Sequence, residues 1–272
     1  MKPFLRQLPR DPVAFFSDYM RLTGTPSLEP EPGKIAFAGK TIGLVNGSNW
    51  VSLWGTYFGR KLLPGAKLIH SGSDVGQLHF MAAHQAGRRC PPAVNVRMFA
   101  RSAQELVELY RPDAILVTCS TMNRAIKDVR RALVRKRVPV VQIDEAMMEE
   151  AVNSGGRILV IATHGPTVKS TQNLLQETAE RLGKSVNFEG ATVERAFDLL
   201  GEGKIKEHNR LIADTIRKVQ RTKNIDVVVL AQLSMSVFSF THPDPVADFG
   251  VNVLNSAETG FRRVGEILAA KQ

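Results

Sequence analysis

The chain has 272 residues, with 36 Lys and Arg against 26 Asp and Glu, a formal charge of +10. Its 43% hydrophobic and 23% charged content is that of a globular protein, and two cysteines exclude both a disulfide scaffold and a cysteine-rich zinc site. No apolar run is long enough to cross a bilayer and the first twenty residues lack a signal peptide's apolar segment. The expectation is a soluble, cytoplasmic protein with no membrane partner.

Residues 1–39 read as an arm and linker. Six of the fourteen prolines lie before residue 34. Among them, Asp11 followed by Pro12 predicts the start of a short helix, with Phe15, Phe16, Tyr19 and Leu22 on its apolar face. Such an arm would pack on the body or on a second subunit, which admits a homo-oligomer. Thr23–Lys34 is a turn-rich linker.

From residue 40 onward, strands and helices alternate. The predicted strands are Thr41–Asn46, Ala66–Ile69, Val94–Phe99, Ala114–Thr118, Pro139–Ile143, Arg157–Ala162, Ser185–Glu189 and Asp226–Ala231. Most are nearly continuous apolar runs, as in parallel sheets covered on both faces. Helical spacing marks Ser102–Tyr110, Thr167–Leu182 and Lys204–Val219. It also marks 121–137, where Met122, Ile126, Val129 and Leu133 form an apolar stripe. That last segment carries seven cations against one acid, more than half of the net charge, with Arg124, Lys127, Arg131 and Arg135 on a solvent-facing stripe. It has no interleaved aromatics and no nucleic-acid signature, so it reads as a solvated face and nucleic acid is not the expected partner.

The chain also contains an internal repeat. Asp113–Met122 aligns without a gap on Asp226–Met235, and Ile42–Gly47 aligns on Ile158–Thr163, at offsets of 113 and 116. Two matches in the same order predict two related α/β lobes. Ligands of parallel sheets bind beyond the carboxyl ends of the strands. Four loops would then surround one cleft: Asn46–Asn49, Cys119–Asn123, Thr163–Thr167 and Gln232–Ser236. Gly39-Lys40-Thr41 has the wrong spacing and setting for a phosphate loop, and no set of His and acidic residues suggests a metal site.

Cys119 ends a buried strand and opens a helix, in Thr118-Cys119-Ser120-Thr121. The positive helix end favours thiolate and would bring the thiol near neutrality, with Ser120, Thr121 and helix-end N–H groups binding a carboxylate beside it. A buried structural cysteine fits the same position. Position leaves both readings open.

The chain resembles the aspartate/glutamate/hydantoin racemase superfamily. The resemblance is carried by Ile42–Ser48, Leu116–Thr121, Val140–Ala146, Arg157–Thr163 and Val253–Ser256, in family order. It implies two flavodoxin-like α/β lobes related by a pseudo-twofold, with the active site between them and no metal, pyridoxal phosphate or nucleotide cofactor. The first lobe would comprise 40–143 plus 249–272, with Asn252–Ser256 as its last strand and Ala257–Ala270 as its closing helix. Leu254, Phe261, Val264 and Leu268 would turn inward. The second lobe would comprise 144–248.

In that family each lobe presents one cysteine to a small acid, one removing the α-proton and the other delivering one to the opposite face. Cys119 matches the first-lobe cysteine, and Ser120 and Thr121 match its carboxylate-binding neighbours. Asn46, Ser48, Thr163 and Ser234 fall on the other substrate-facing loops. Gln232 occupies the second cysteine's position, and an amide cannot take up a proton near neutral pH. Cys90, in Arg89-Cys90-Pro91, is no evident replacement.

The expected function is therefore cofactor-independent proton chemistry at the carbon α to a carboxylate, with Cys119 as acid/base. The reaction would be of racemase, isomerase or decarboxylase type on a small carboxylic acid. Gln232 would assist by hydrogen bonding, and His164 is the candidate for a second acid/base. The alternative is a catalytically lapsed module that binds a small acid.

Overall fold

A computed structural model describes residues 11–23, 36–163 and 165–270. In chain order the elements are α1 (Pro12–Thr23), β1 (Thr41–Val45), α2 (Val51–Leu62), β2 (Lys67–Ser71), α3 (Asp74–Gln85), α4 (Ala93–Tyr110), β3 (Ala114–Val117), α5 (Ile126–Leu133), β4 (Val140–Gln142) and α6 (Glu145–Ser154). Next come β5 (Arg157–Ala162), α7 (Gly165–Arg181), β6 (Asn187–Thr192), α8 (Glu194–Gly201), α9 (Ile205–Gln220), β7 (Val227–Leu230), α10 (Pro245–Phe249), β8 (Asn252–Asn255) and α11 (Ser256–Ala269). Short 3₁₀ segments at Ser120–Ala125 and Leu233–Phe240 lie just after β3 and β7.

The strands form two parallel sheets, ordered β2-β1-β3-β4 and β6-β5-β7-β8, so the second repeats the topology of the first. The repeat extends to register. Ile42 pairs with Ala114, and their counterparts Ile158 and Val227 pair in the second sheet. It also extends to side chains: Asp113 accepts the Thr41 N–H at 2.8 Å, and Asp226 accepts the Arg157 N–H at 2.6 Å. Each aspartate ties the start of a central strand to its neighbour.

Helices cover both faces of each sheet, which is why the central strands lack a polar alternation. In β3, Ile115 and Val117 face Phe99, Leu106, Val129 and Leu133, whereas Ala114 and Leu116 face Phe58, Phe261, Val264 and Leu268. In β7, Val227 and Val229 pack with Met147, Ala151 and Leu175, while Val228 and Leu230 pack with Ile212 and Ile216.

The last strand departs from expectation. Asn252–Asn255 is hydrogen-bonded to β7 and belongs to the second sheet, not to the first. It is the counterpart of β4, as the repeat requires, and Leu254 accordingly packs on the second sheet's core. The chain then crosses back. Asn255 caps α11, its Oδ1 accepting the Glu258 N–H at 3.0 Å, and Phe261, Val264 and Leu268 pack on the first sheet. Meanwhile α6, next in the chain after β4, packs on the second sheet. The repeats thus exchange their last helices, and Arg262–Glu150 and Arg263–Glu149 ion pairs at 2.8 and 2.7 Å join the two exchanged helices.

Two further expectations are corrected, and the start of the first helix is as expected. Val94–Phe99 is the start of α4 rather than a strand: burial falls on Asn95, Phe99, Ala103, Leu106 and Val107, a helical period, while Val94 is exposed. The basic 121–137 segment is not one helix but a 3₁₀ segment, α5 and a final 3₁₀ turn. Four of its cations are paired, Arg124 reaching Glu177 on α7 and Arg130 gripping Glu145, so Arg124 is not free to face solvent. Finally, α1 begins at Pro12 with Asp11 accepting the Ala14 N–H at 2.9 Å, yet none of its residues is buried, and Phe16 is 61% exposed. Most of the Thr23–Lys34 linker lies outside the described residues. Among the described residues, no helix is long and apolar enough to cross a membrane.

Candidate active site

The carboxyl ends of β1, β3 and β7 converge on a cavity of about 60 Å³. It is lined from the first repeat by Gly47, Ser48, Trp50, Val51 and Gln77 and by Thr118–Thr121, and from the second by Gln232, Leu233 and Ser234. Cys119 is the one ionisable side chain among these lining residues.

Cys119 is 9% exposed, with its Sγ 3.1 Å from the Thr121 hydroxyl. Burial pushes the thiol above its ordinary range, and the negative charge of Asp144 adds to this. The Thr121 hydroxyl and the Met122 and Thr121 N–H groups act in the opposite direction. The expected approach to neutrality does not occur. The backbone after the cysteine is a 3₁₀ segment broken at Met122 rather than a regular α-helix, so no long aligned dipole offsets the loss of water.

Gly47 makes room for the thiol: a Cβ there would lie 2.7 Å from Sγ. Its counterpart in the second repeat is Thr163, and the counterpart of Cys119 is Gln232. There the crowding is used as a clamp. Gln232 Oε1 accepts the Thr163 N–H at 2.6 Å and the Thr163 hydroxyl at 2.9 Å. A backbone N–H can only donate, so the clamped atom is the oxygen, and Gln232 also lines the cavity.

The remaining candidates divide into lining and supporting groups. Ser48, Ser120, Thr121 and Ser234 line the cavity. Asn46 does not; its amide bridges the Thr118 hydroxyl, at 2.7 Å, and His70 Nδ1, at 3.1 Å. His70, whose Nε2 meets the Thr56 hydroxyl at 3.0 Å, is held down to about 4 by burial and is neutral at physiological pH. Thr163 likewise acts through Gln232. Cys90 is half-buried against the first sheet's core, away from the cavity lining. His164 lies outside the described residues.

Sequence reasoning passed over Gln77, Trp50 and Val51, which belong to no motif and enter the cavity only through packing, whereas Leu233 lies in the Gln232–Ser236 loop expected at the cleft. Trp50 stands edge-on to Phe197 of α8, ring centroids 6.0 Å apart, and so spans the two repeats. It also passed over Asp144, although the residue sits inside a quoted motif. Asp144 is 2% exposed, accepts the Ser120 hydroxyl at 2.9 Å and Gln142 Nε2 at 2.7 Å, and is pushed up to about 6 by burial.

Residues 80–264 match the sequence profile of the Asp/Glu/hydantoin racemase family. The chain belongs to that family. No curated protein sequence matches it. Among solved structures, this family member is similar to the glutamate racemase of Thermus thermophilus, with 20% identity and a TM-score of 0.61, covering 88% of this chain and 83% of that one. An aspartate racemase homologue from Pyrococcus horikoshii gives 20%, 0.62, 85% and 99%, and the allantoin racemase of Klebsiella pneumoniae gives 16%, 0.59, 86% and 89%. At these identities the likeness establishes the shared α/β fold. Among the described residues no group of three His, Cys, Asp or Glu side chains could hold a metal ion.

Proposed function

We propose that the chain is a racemase-type enzyme that moves a proton at the carbon α to a carboxylate, without a cofactor, through Cys119. One observation carries this reading: Cys119 and Gln232, counterparts in the two repeats, line one cavity beyond the strand ends. Ser48, Thr121 and Ser234 hold the carboxylate of a small acid, while Asn46 and Thr163 hold the loops. As α-carbon and carboxylate approach an enediolate, the Gln232 amide nitrogen donates to the developing negative charge. Cys119 exchanges the proton on one face. Inversion needs a second proton-exchanging group, and His164, next to Thr163 in the sequence, is the residue proposed for it.

Proton NMR of amino acids, substituted malonates and hydantoins in D₂O tests this directly. Deuterium entering the α position of both enantiomers is the expected result, and Cys119→Ala is expected to lower exchange by at least about a hundredfold. Unchanged exchange in that variant would remove Cys119 from the chemistry. Loss of CO₂ would reassign the reaction as decarboxylation, and binding without exchange would point to the lapsed module. In His164→Gln, exchange on one enantiomer should persist while inversion stops; inversion at full rate excludes His164.

A further inference from the structure

We propose that Asp144 is a positioning residue of this site: its buried carboxylate anchors, through Ser120, the loop that carries Cys119 and sets a buried negative charge behind that loop, which holds back the reaction of the Cys119 thiol. The inference deepens the reading of Cys119 as the acid/base.

The geometry is specific. Asp144 lies just beyond the tip of β4, and both carboxylate oxygens are used inside the protein, one by the Ser120 hydroxyl and the other by Gln142 Nε2. Gln142 Oε1 in turn accepts the Asp144 N–H at 2.8 Å, closing the network. All three side chains are buried. No cation contacts the carboxylate among the described residues; Arg130 is committed to the neighbouring Glu145 at 2.6 Å. A buried carboxylate with hydrogen bonds but no counter-charge is a costly feature, and its field reaches neighbouring titratable groups with little screening. The group it reaches is Cys119, one residue from Ser120, whose acidity it opposes. Against Cys119 stand Thr121 and the backbone N–H groups of Thr121 and Met122; against Asp144 stand Ser120, Gln142 and Glu145. The second repeat lacks the arrangement, since Ala257 is the counterpart of Asp144 and Gln232 has no thiol to control.

Asp144→Asn removes the charge and can keep both contacts, its Oδ1 accepting from Gln142 and its Nδ2 donating to the Ser120 oxygen. The test is thiol reactivity. Modification by methyl methanethiosulfonate is followed between pH 5 and 9, with adducts on Cys119 and Cys90 resolved by peptide mass spectrometry. Cys119 is expected to react about twofold to threefold faster in the variant at each pH above 6.5, while Cys90 is unchanged. An equal or slower Cys119 rate, with Cys90 constant, overturns the proposal.

If the variant does not fold, the wild-type profile decides. Coupling to Asp144 gives the Cys119 profile a shoulder near pH 6, where the carboxylate takes up its proton. A straight line of unit slope contradicts the coupling. Neither measurement needs a substrate, so the fate of this inference is separate from that of the α-proton chemistry.

Discussion

At the scale of single residues, the site is organised by contrast between counterparts. Gly47 leaves room for a thiol where Thr163 clamps an amide, and one repeat therefore carries an ionisable group where the other carries a fixed dipole. Gly47→Ala forces a Cβ into the thiol, so it is expected to abolish Cys119 modification and turnover while costing about 1–3 kcal/mol in urea unfolding. Asp144 makes a prediction of opposite sign. Its carboxyl is held near 6 when folded, against an ordinary value of 3.8, so the folded state binds its proton more tightly than the unfolded state. The stability this gives is complete below pH 4 and is lost as pH rises to about 6. Asp144→Asn should therefore stabilise the protein by about 1–3 kcal/mol at pH 7.5 and by much less at pH 4, as read from urea midpoints. A variant less stable than wild type at both pH values would contradict this.

Elements behave as the repeat dictates. Asp113 and Asp226 make the same contact at the same place in two sheets, so replacing either by Ala should cost a similar amount, about 1–3 kcal/mol. A large asymmetry would show that the two tethers are not equivalent. The strands themselves were legible because runs buried on both faces leave an unmistakable apolar signature. Val94–Phe99 misled because alternate Val94 and Val96 imitate a strand over a short window, and only burial through Val107 shows the helical period. The basic segment showed its apolar stripe but not its break at Met122, because a 3₁₀ turn and an α-helix share similar spacing over a single turn.

For the molecule as a whole, the exchange of α6 and α11 decides how the halves are joined. Each sheet is covered by the helix that leaves the other sheet's last strand, and the two helices pair through Glu149 and Glu150. Gly260 of α11 lies against Ile143, where a Cβ would meet the Ile143 carbonyl oxygen at 2.7 Å. Gly260→Ala is expected to destabilise the whole chain by about 1–3 kcal/mol with a single, shifted unfolding transition, because the helix serves both halves. Two separated transitions would mean that the halves unfold independently. Across the cleft mouth, Trp50 is 43% exposed, so Trp50→Ala should change stability little while weakening substrate binding, which titration of an active acid would measure.

By itself the amino-acid sequence determined the repeat, the α/β class, the strands other than the misread Val94–Phe99, and the presence of Cys119 and Gln232 at matching positions. These are legible because they depend on local periodicity and on the offset between two similar segments. Only the tertiary structure decided that β8 joins the second sheet, that the last helices are exchanged, and that Asp144 stands behind Cys119. It also decided the direction of the thiol's acidity. The physical reason is the same in each case: pairing partners, burial and the fields of buried charges depend on atoms far apart in the chain, which no local pattern encodes.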